Sequence, residues 1–148
     1  MEKMISGKTI AITRTKEDAK EFISLASQEN AIPMPLPTIE LVSKGDKIAD
    51  DFLDSIKEFN PDYSVFMSPK AVKLLFDVAK NNSKHHELQL AVANTTVVGV
   101  GPKTKEALES EGIKVNHVPS RYSSVGVGES FTRLNAVGKK VIIPRSGA

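Results

Sequence analysis

Short apolar runs alternate along this chain with longer stretches in which apolar residues recur every three or four positions. Lys8 to Thr13 (KTIAIT) is a β-branched apolar run, which predicts a strand ending at Arg14. Thr15 and Asp18 then have the spacing of a capping box, with Ala19, Phe22, Ile23 and Ala26 at helical intervals behind them. Ala31 to Val42 (AIPMPLPTIELV) carries prolines at 33, 35 and 37. Proline cannot donate to a ladder, so this segment reads as an edge strand running into an extended linker, the best place for a domain crossing. Ile48, Phe52, Ile56 and Phe59 mark an amphipathic helix, and Tyr63 to Met67 (YSVFM) a strand. Ser68 and Pro69 suit the cap and first position of a helix carrying Val72, Leu75, Phe76 and Ala79. Asn81 to Glu87 (NNSKHHE) is polar and reads as a solvated loop or a frayed helix end.

The stretch from Val97 to Phe131 predicts a strand, a glycine turn, and a helix opened by Thr104 and closed by Gly112. A second strand (VNHVP) follows, and then a turn whose Ser123-Ser124 open another helix. Lys139 to Pro144 is one more strand. Strands alternating with helices imply an α/β protein with a parallel sheet and helices on both faces. Ligands of such sheets bind outside the carboxyl ends of the strands. There, each strand-to-helix turn leaves the first N–H groups of its helix pointing outward, beside the positive end of the helix dipole. Repeating such mouths suits a ligand with several negative charges. The final residues, VIIPRSGA, are a strand and the start of a turn with no covering helix after them, so residues are expected to be missing relative to a complete architecture.

Composition narrows the chemistry. The 148 residues, 40% hydrophobic, suffice for one ordinary core, or one domain and a fragment. Without cysteine there is no disulfide, thiolate metal site or cysteine nucleophile. The N-terminus, MEKMISGKTIAI, has no signal-peptide apolar stretch and nothing reaches membrane-spanning length, which points to a soluble, cytoplasmic protein with no membrane partner. A net charge of +2 with interspersed Lys and Glu, two tyrosines and no tryptophan argues against nucleic acid.

Candidate motifs sort by their spacing. Gly99-Val100-Gly101-Pro102-Lys103-Thr104 is too short for a P-loop, and Pro102 removes a donor. As a dinucleotide fingerprint it lacks the third glycine. His85 and His86 lie in a polar tract and His117 beside a strand end, without metal-ligand spacing, so they read as solvated histidines. Ser68 has no G-x-S-x-G around it and reads as a cap or a ligand donor rather than a nucleophile. Arg14, at the end of a strand, either pairs with a carboxylate of its own protein or faces the ligand crevice; Arg145 holds the same type of position after the last strand.

Several of these segments resemble blocks of the uroporphyrinogen-III synthase family. PDYSVFMSPKAV (Pro61 to Val72) is similar to its D-x-x-x-F-T-S-x-x-A-V block, and VGPKTKEAL (Val100 to Leu108) to its V-G-x-x-T-x-x-A-L block. The Tyr122-Ser123-Ser124 turn, ITR near the start, the Pro37 region and GKKVIIPRSGA match in order, over essentially the whole chain. Met67 departs from the family's usual threonine.

The resemblance implies a parallel-sheet, helix-flanked (Rossmann/flavodoxin-like) domain inserted into a second, similar but incomplete α/β domain, through a two-stranded linker. Residues 1–36 would begin the first domain, 38–137 would form the inserted one, and 139–148 would be the strand returning to the first. The remainder of the first domain, with a cleft tyrosine, is expected to be absent. The implied reaction closes hydroxymethylbilane, a linear tetrapyrrole with eight carboxylates, into uroporphyrinogen III, inverting the last pyrrole ring and losing water, with no metal or organic cofactor. Substrate arms would be held by Ser68, Lys70, Gly101, Thr104, Ser123 and Ser124, with Arg14 and Arg145 on the opposite wall; the catalytic group is unassigned. The family is monomeric, but exposed sheet edges in an incomplete first domain could pair or swap between chains. Two alternatives stay open: a non-enzymatic α/β module binding a small anionic ligand, and a folded piece inactive alone. A phosphoacceptor receiver lacks its acidic cluster at Thr13-Arg14-Thr15, and a periplasmic-type binder its export signal.

Overall fold

The computed structural model describes residues 4–36 and 45–144, and the chain divides into two compact units, residues 1–43 and 44–148. The first unit contains β1 (Thr9–Ile12), α1 (Lys16–Gln28) and β2 (Ile32–Pro35). Thr15 caps α1: its Oγ1 accepts from the Asp18 N–H at 3.3 Å and donates to the Asp18 carboxylate at 3.0 Å. The predicted capping residues are therefore in place, although the aspartate returns to the hydroxyl that caps it. Ala19 and Ala26 are buried on the inner face of α1, with Ile23 half-buried and Phe22 exposed. β1 and β2 pair in parallel, Thr9 opposite Ile32 and Ile12 opposite Pro35. The Ile32 N–H donates to the Lys8 carbonyl and the Leu36 N–H to that of Ile12, each at 2.9 Å. Successive residues of a strand present their backbone groups to opposite sides, so Pro33 and Pro35 face away from β1, where no donor is demanded of them. Part of the predicted linker, residues 37–42, lies outside the described residues.

The second unit runs α2 (Ile48–Phe59), β3 (Tyr63–Phe66), α3 (Pro69–Asn81), α4 (His85–Ala93), β4 (Thr96–Gly99), α5 (Pro102–Ser110), α6 (Ser124–Arg133) and β5 (Val141–Ile142). Its strands are parallel in the order β4-β3-β5. Because side chains alternate across a strand, β3 and β4 feed two cores. Phe66 and Val97 join Phe52, Leu53, Val72, Phe76, Leu88 and Leu108 of α2 to α5. Val65 and Val98 join Val100 and Val127, with Tyr63, Phe131 and Val141 packed around them, beneath α6. Helices thus cover both faces, as predicted. Buried Ser64 is satisfied by the Thr95 hydroxyl at 2.8 Å.

Several expectations are corrected. The described part of the expected return strand lies in the second sheet: Val141 and Ile142 pair with Tyr63 and Ser64, and Val141 packs into the core beneath α6. VNHVP forms no strand but a single parallel bridge from His117 to Val98. There the Asn116 side chain, not a backbone carbonyl, accepts from the Val97 N–H at 2.7 Å, which interrupts a regular ladder. The polar tract NNSKHHE is not a loop throughout, since His85 opens α4, held by fully buried Leu88 and Val92 one turn apart.

His85 is accordingly not a solvated histidine. Its Nε2 lies 2.9 Å from a Glu111 carboxylate oxygen, and its ring meets Phe76 edge-on. Lys80 donates to the other Glu111 oxygen at 2.8 Å, and Gln89 donates to the Glu111 carbonyl at 3.0 Å, so one residue ties α3, α4 and the end of α5. Burial pushes the Glu111 carboxyl up, but the hydrogen bonds and charges of Lys80 and His85 outweigh it and hold the group below its ordinary value. A depressed pKa in the folded state stabilises above the unfolded-state pKa, and that contribution is lost as pH falls through the folded one. Glu111→Gln is expected to cost about 1 kcal/mol at neutral pH, a difference that shrinks towards pH ~3. Urea unfolding at both pH values checks this, and equal losses would point to packing rather than charge.

Candidate functional site at the carboxyl edge of the second sheet

At the carboxyl edge Phe66 is opposite Gly99, and the Val100 N–H donates to the Phe66 carbonyl at 3.0 Å. The chain therefore leaves β3 and β4 side by side, and each turn feeds a helix. Ser68 is extended, and its hydroxyl accepts from the Ala71 N–H at 3.1 Å, with Pro69 as the first residue of α3. As acceptor to its own helix, this hydroxyl keeps a proton to donate. Lys70 follows, half-buried in the first turn.

The next helix starts earlier than predicted. Gly101, extended and buried, caps α5 and offers no side-chain acceptor, and Pro102 is its first residue. Thr104 therefore lies inside the first turn and is buried, only 2% exposed, so it does not stand at the mouth as expected of it. The helix begins two residues before Thr104, because Pro102 already has the φ of a helix start.

The third mouth belongs to α6. The Ser123 hydroxyl accepts from the Gly126 N–H at 3.2 Å, and exposed Ser124 opens the helix. The turn before it is tightly held. The Ser123 N–H donates to the Arg121 carbonyl at 2.9 Å, and the Arg121 guanidinium pairs with Glu129 of α6. A Cβ on Gly126 would fall 1.9 Å from the Arg121 carbonyl oxygen, so this approach of turn to helix needs glycine.

One contact brings two mouths together. A Cβ on Gly101 would lie 3.2 Å from Cγ of Tyr122, so the tyrosine ring packs on the α5 cap from the α6 turn. Ser68, Gly101, Ser123 and Ser124 thus share one edge of the sheet with Lys70, while Thr104 is withdrawn. Arg14 belongs to the first unit, exposed after β1, where it lines a shallow hollow of about 190 Å³ with Thr13 and Phe22. Arg145 lies outside the described residues. Tyr122 was not among the expected binding residues, since only the fold reveals its packing on Gly101. His117 departs from expectation too: its Nε2 is buried without a hydrogen-bond partner. Exposed His86 alone fits the solvated reading. Among the described residues no three His, Asp or Glu side chains gather as a metal site, and no helix is long and apolar enough to cross a membrane.

Comparison with known proteins points to one family. Residues 20–148 match the family described as uroporphyrinogen-III synthase HemD. A Methanothermobacter thermautotrophicus protein provisionally named uroporphyrinogen-III synthase is 27% identical over 137 residues, covering 93% of this chain and 51% of that protein. The uroporphyrinogen-III synthase of Synechococcus elongatus is 25% identical over 146 residues, covering 97% of this chain and 52% of its own. This chain spans about half the length of these relatives. A mutant uroporphyrinogen III synthase of Thermus thermophilus has the same fold at 16% identity, with a TM-score of 0.60 over 93% of this chain and 62% of that one. With the family model matching most of its length, and with a parallel α/β sheet edged by the motifs of that family, the chain belongs to the uroporphyrinogen-III synthase family.

Proposed function

We propose that the carboxyl edge of the second sheet grips the acetate and propionate arms of hydroxymethylbilane, and that the chain serves its cyclisation to uroporphyrinogen III as a hydro-lyase. The observation that carries this reading is the convergence of three helix N-termini on one edge, a natural receptor for several carboxylates. Ser68 and Ser123 each hold a helix N–H and keep a proton for a carboxylate, and Lys70 supplies positive charge. Insertion of the second unit into the first, a monomeric state and a cytoplasmic setting belong to the same reading.

Loss of water from the hydroxymethyl group gives an azafulvene, whose exocyclic carbon is attacked by the substituted carbon of the last ring. The spiro intermediate fragments and recloses with that ring inverted. Uninverted closure competes, so the protein's contribution is to position the chain of rings by its arms.

Freshly generated hydroxymethylbilane supplied to the 148-residue chain, with the oxidised products separated by isomer, tests the activity. Uroporphyrin III above the spontaneous isomer I background is the expected result, and isomer I alone would sink the catalytic reading for this chain. The grip is tested separately. Aspartate caps helices as well as serine but repels carboxylates, so Ser68→Asp and Ser123→Asp should leave thermal stability within about 1 kcal/mol. Each should weaken uroporphyrin III binding about tenfold, as the loss of a charge-assisted hydrogen bond predicts. Unchanged affinity in both variants would remove these serines from the site.

A further inference from the structure

We propose that Tyr122 is the ring-recognition residue of this site, its phenol ring seated on Gly101 and its open surface taking the face of a pyrrole ring. The inference rests on the anionic-tetrapyrrole reading above and assigns what the helix ends leave unassigned. Helix N-termini recognise carboxylates, but they do not distinguish a chain of aromatic rings from any other polyacid. Tyr122 is 64% exposed although its Cβ, Cγ and Cδ1 all lie against the Gly101 position. Only part of the ring is therefore used in folding, and the rest is offered between the mouths of α5 and α6.

The ring is also held in place. The Ser123 N–H bond to the Arg121 carbonyl, the Arg121–Glu129 pair and the close approach of Gly126 restrain the residues on either side of it. Gly101 provides the seat, because a side chain there would push the ring outward by a few tenths of an ångström. A rigid aromatic loses little conformational entropy on binding, and aromatic pairs favour offset or edge-to-face contact. The predicted ligand has its rings linked to carboxylate arms, so arms on the helix ends bring a ring within reach of this surface.

Affinity of the 148-residue chain for uroporphyrin III, followed by porphyrin fluorescence, is compared with its affinity for ring-free butane-1,2,3,4-tetracarboxylate. Tyr122→Leu keeps an apolar group on Gly101 and removes the aromatic face, and Tyr122→Phe keeps the face and removes the hydroxyl. The expected result is about tenfold weaker porphyrin binding for the leucine variant, with the phenylalanine variant within about threefold of the unaltered chain. Tetracarboxylate affinity and melting temperature should be the same in all three. Leucine binding porphyrin as tightly as tyrosine overturns the proposal. So do equal losses for both ligands, which would mean a displaced turn, and a phenylalanine variant as weak as leucine, which would assign the effect to the hydroxyl. If the unaltered chain binds the tetracarboxylate but not uroporphyrin III, the tetrapyrrole reading itself fails and this assignment with it.

Discussion

Phe66→Ala is expected to lower the stability of the second unit by about 3–5 kcal/mol, a large share of the roughly 5–15 kcal/mol a domain possesses. Phe66 is fully buried at the end of β3, its ring 6.5 Å from that of Phe52, among Val72, Phe76 and Leu108. Truncation removes the transfer energy of the ring and leaves a cavity walled by α2, α3 and α5. Those helices cannot collapse into it without leaving the sheet. The chain has no tryptophan, and both its tyrosines, Tyr63 and Tyr122, lie in the second unit, so tyrosine fluorescence during urea unfolding reports on this unit alone. A loss below about 1.5 kcal/mol would mean that the core repacks more freely than its helices suggest. Ligand binding should fail in parallel, because the Phe66 carbonyl sets the spacing of the first two mouths.

Gly126→Ala is expected to cost about 3 kcal/mol, although alanine favours helices. The added methyl would meet the Arg121 carbonyl oxygen at 1.9 Å and its carbon at 2.8 Å, and a backbone group tied to Ser123 has little room to yield. Gly128, two residues further along α6, has nothing within 4 Å of a Cβ, so Gly128→Ala should stabilise by up to ~1 kcal/mol. Opposite signs two residues apart separate the close approach from helix propensity. Matching signs in thermal unfolding would count against the packing argument. The alanine at 126 should also release the Ser123 cap and so disturb the α6 mouth.

Much of this site is legible in the sequence wherever its cause is local. Ser68-Pro69, Ser123 and Gly112 act within a turn of their own helix, and their caps are where spacing puts them. Thr104 misleads because a strand's end depends on its neighbour: Val100 is tied to Phe66, and Pro102 then begins the helix. α4 is hidden because its first turn, His85-His86-Glu87, is polar and only Leu88 and Val92 hold it down. β5 carries no mark of its partner, since Val141 pairs with Tyr63 across nearly eighty residues of chain. Tyr122 on Gly101 is of the same kind, a contact between two turns that only the sheet brings together.

The two outward-facing prolines of β2 give the first unit a one-way grain. On that flank an arriving strand finds carbonyls at 33 and 35 but no matching hydrogens, so it cannot lock into register. The flank of β1, with ordinary residues, has no such defect. Uncontrolled stacking of chains at high concentration would therefore extend from β1 and stop at β2, producing short capped pairs in place of endless ribbons.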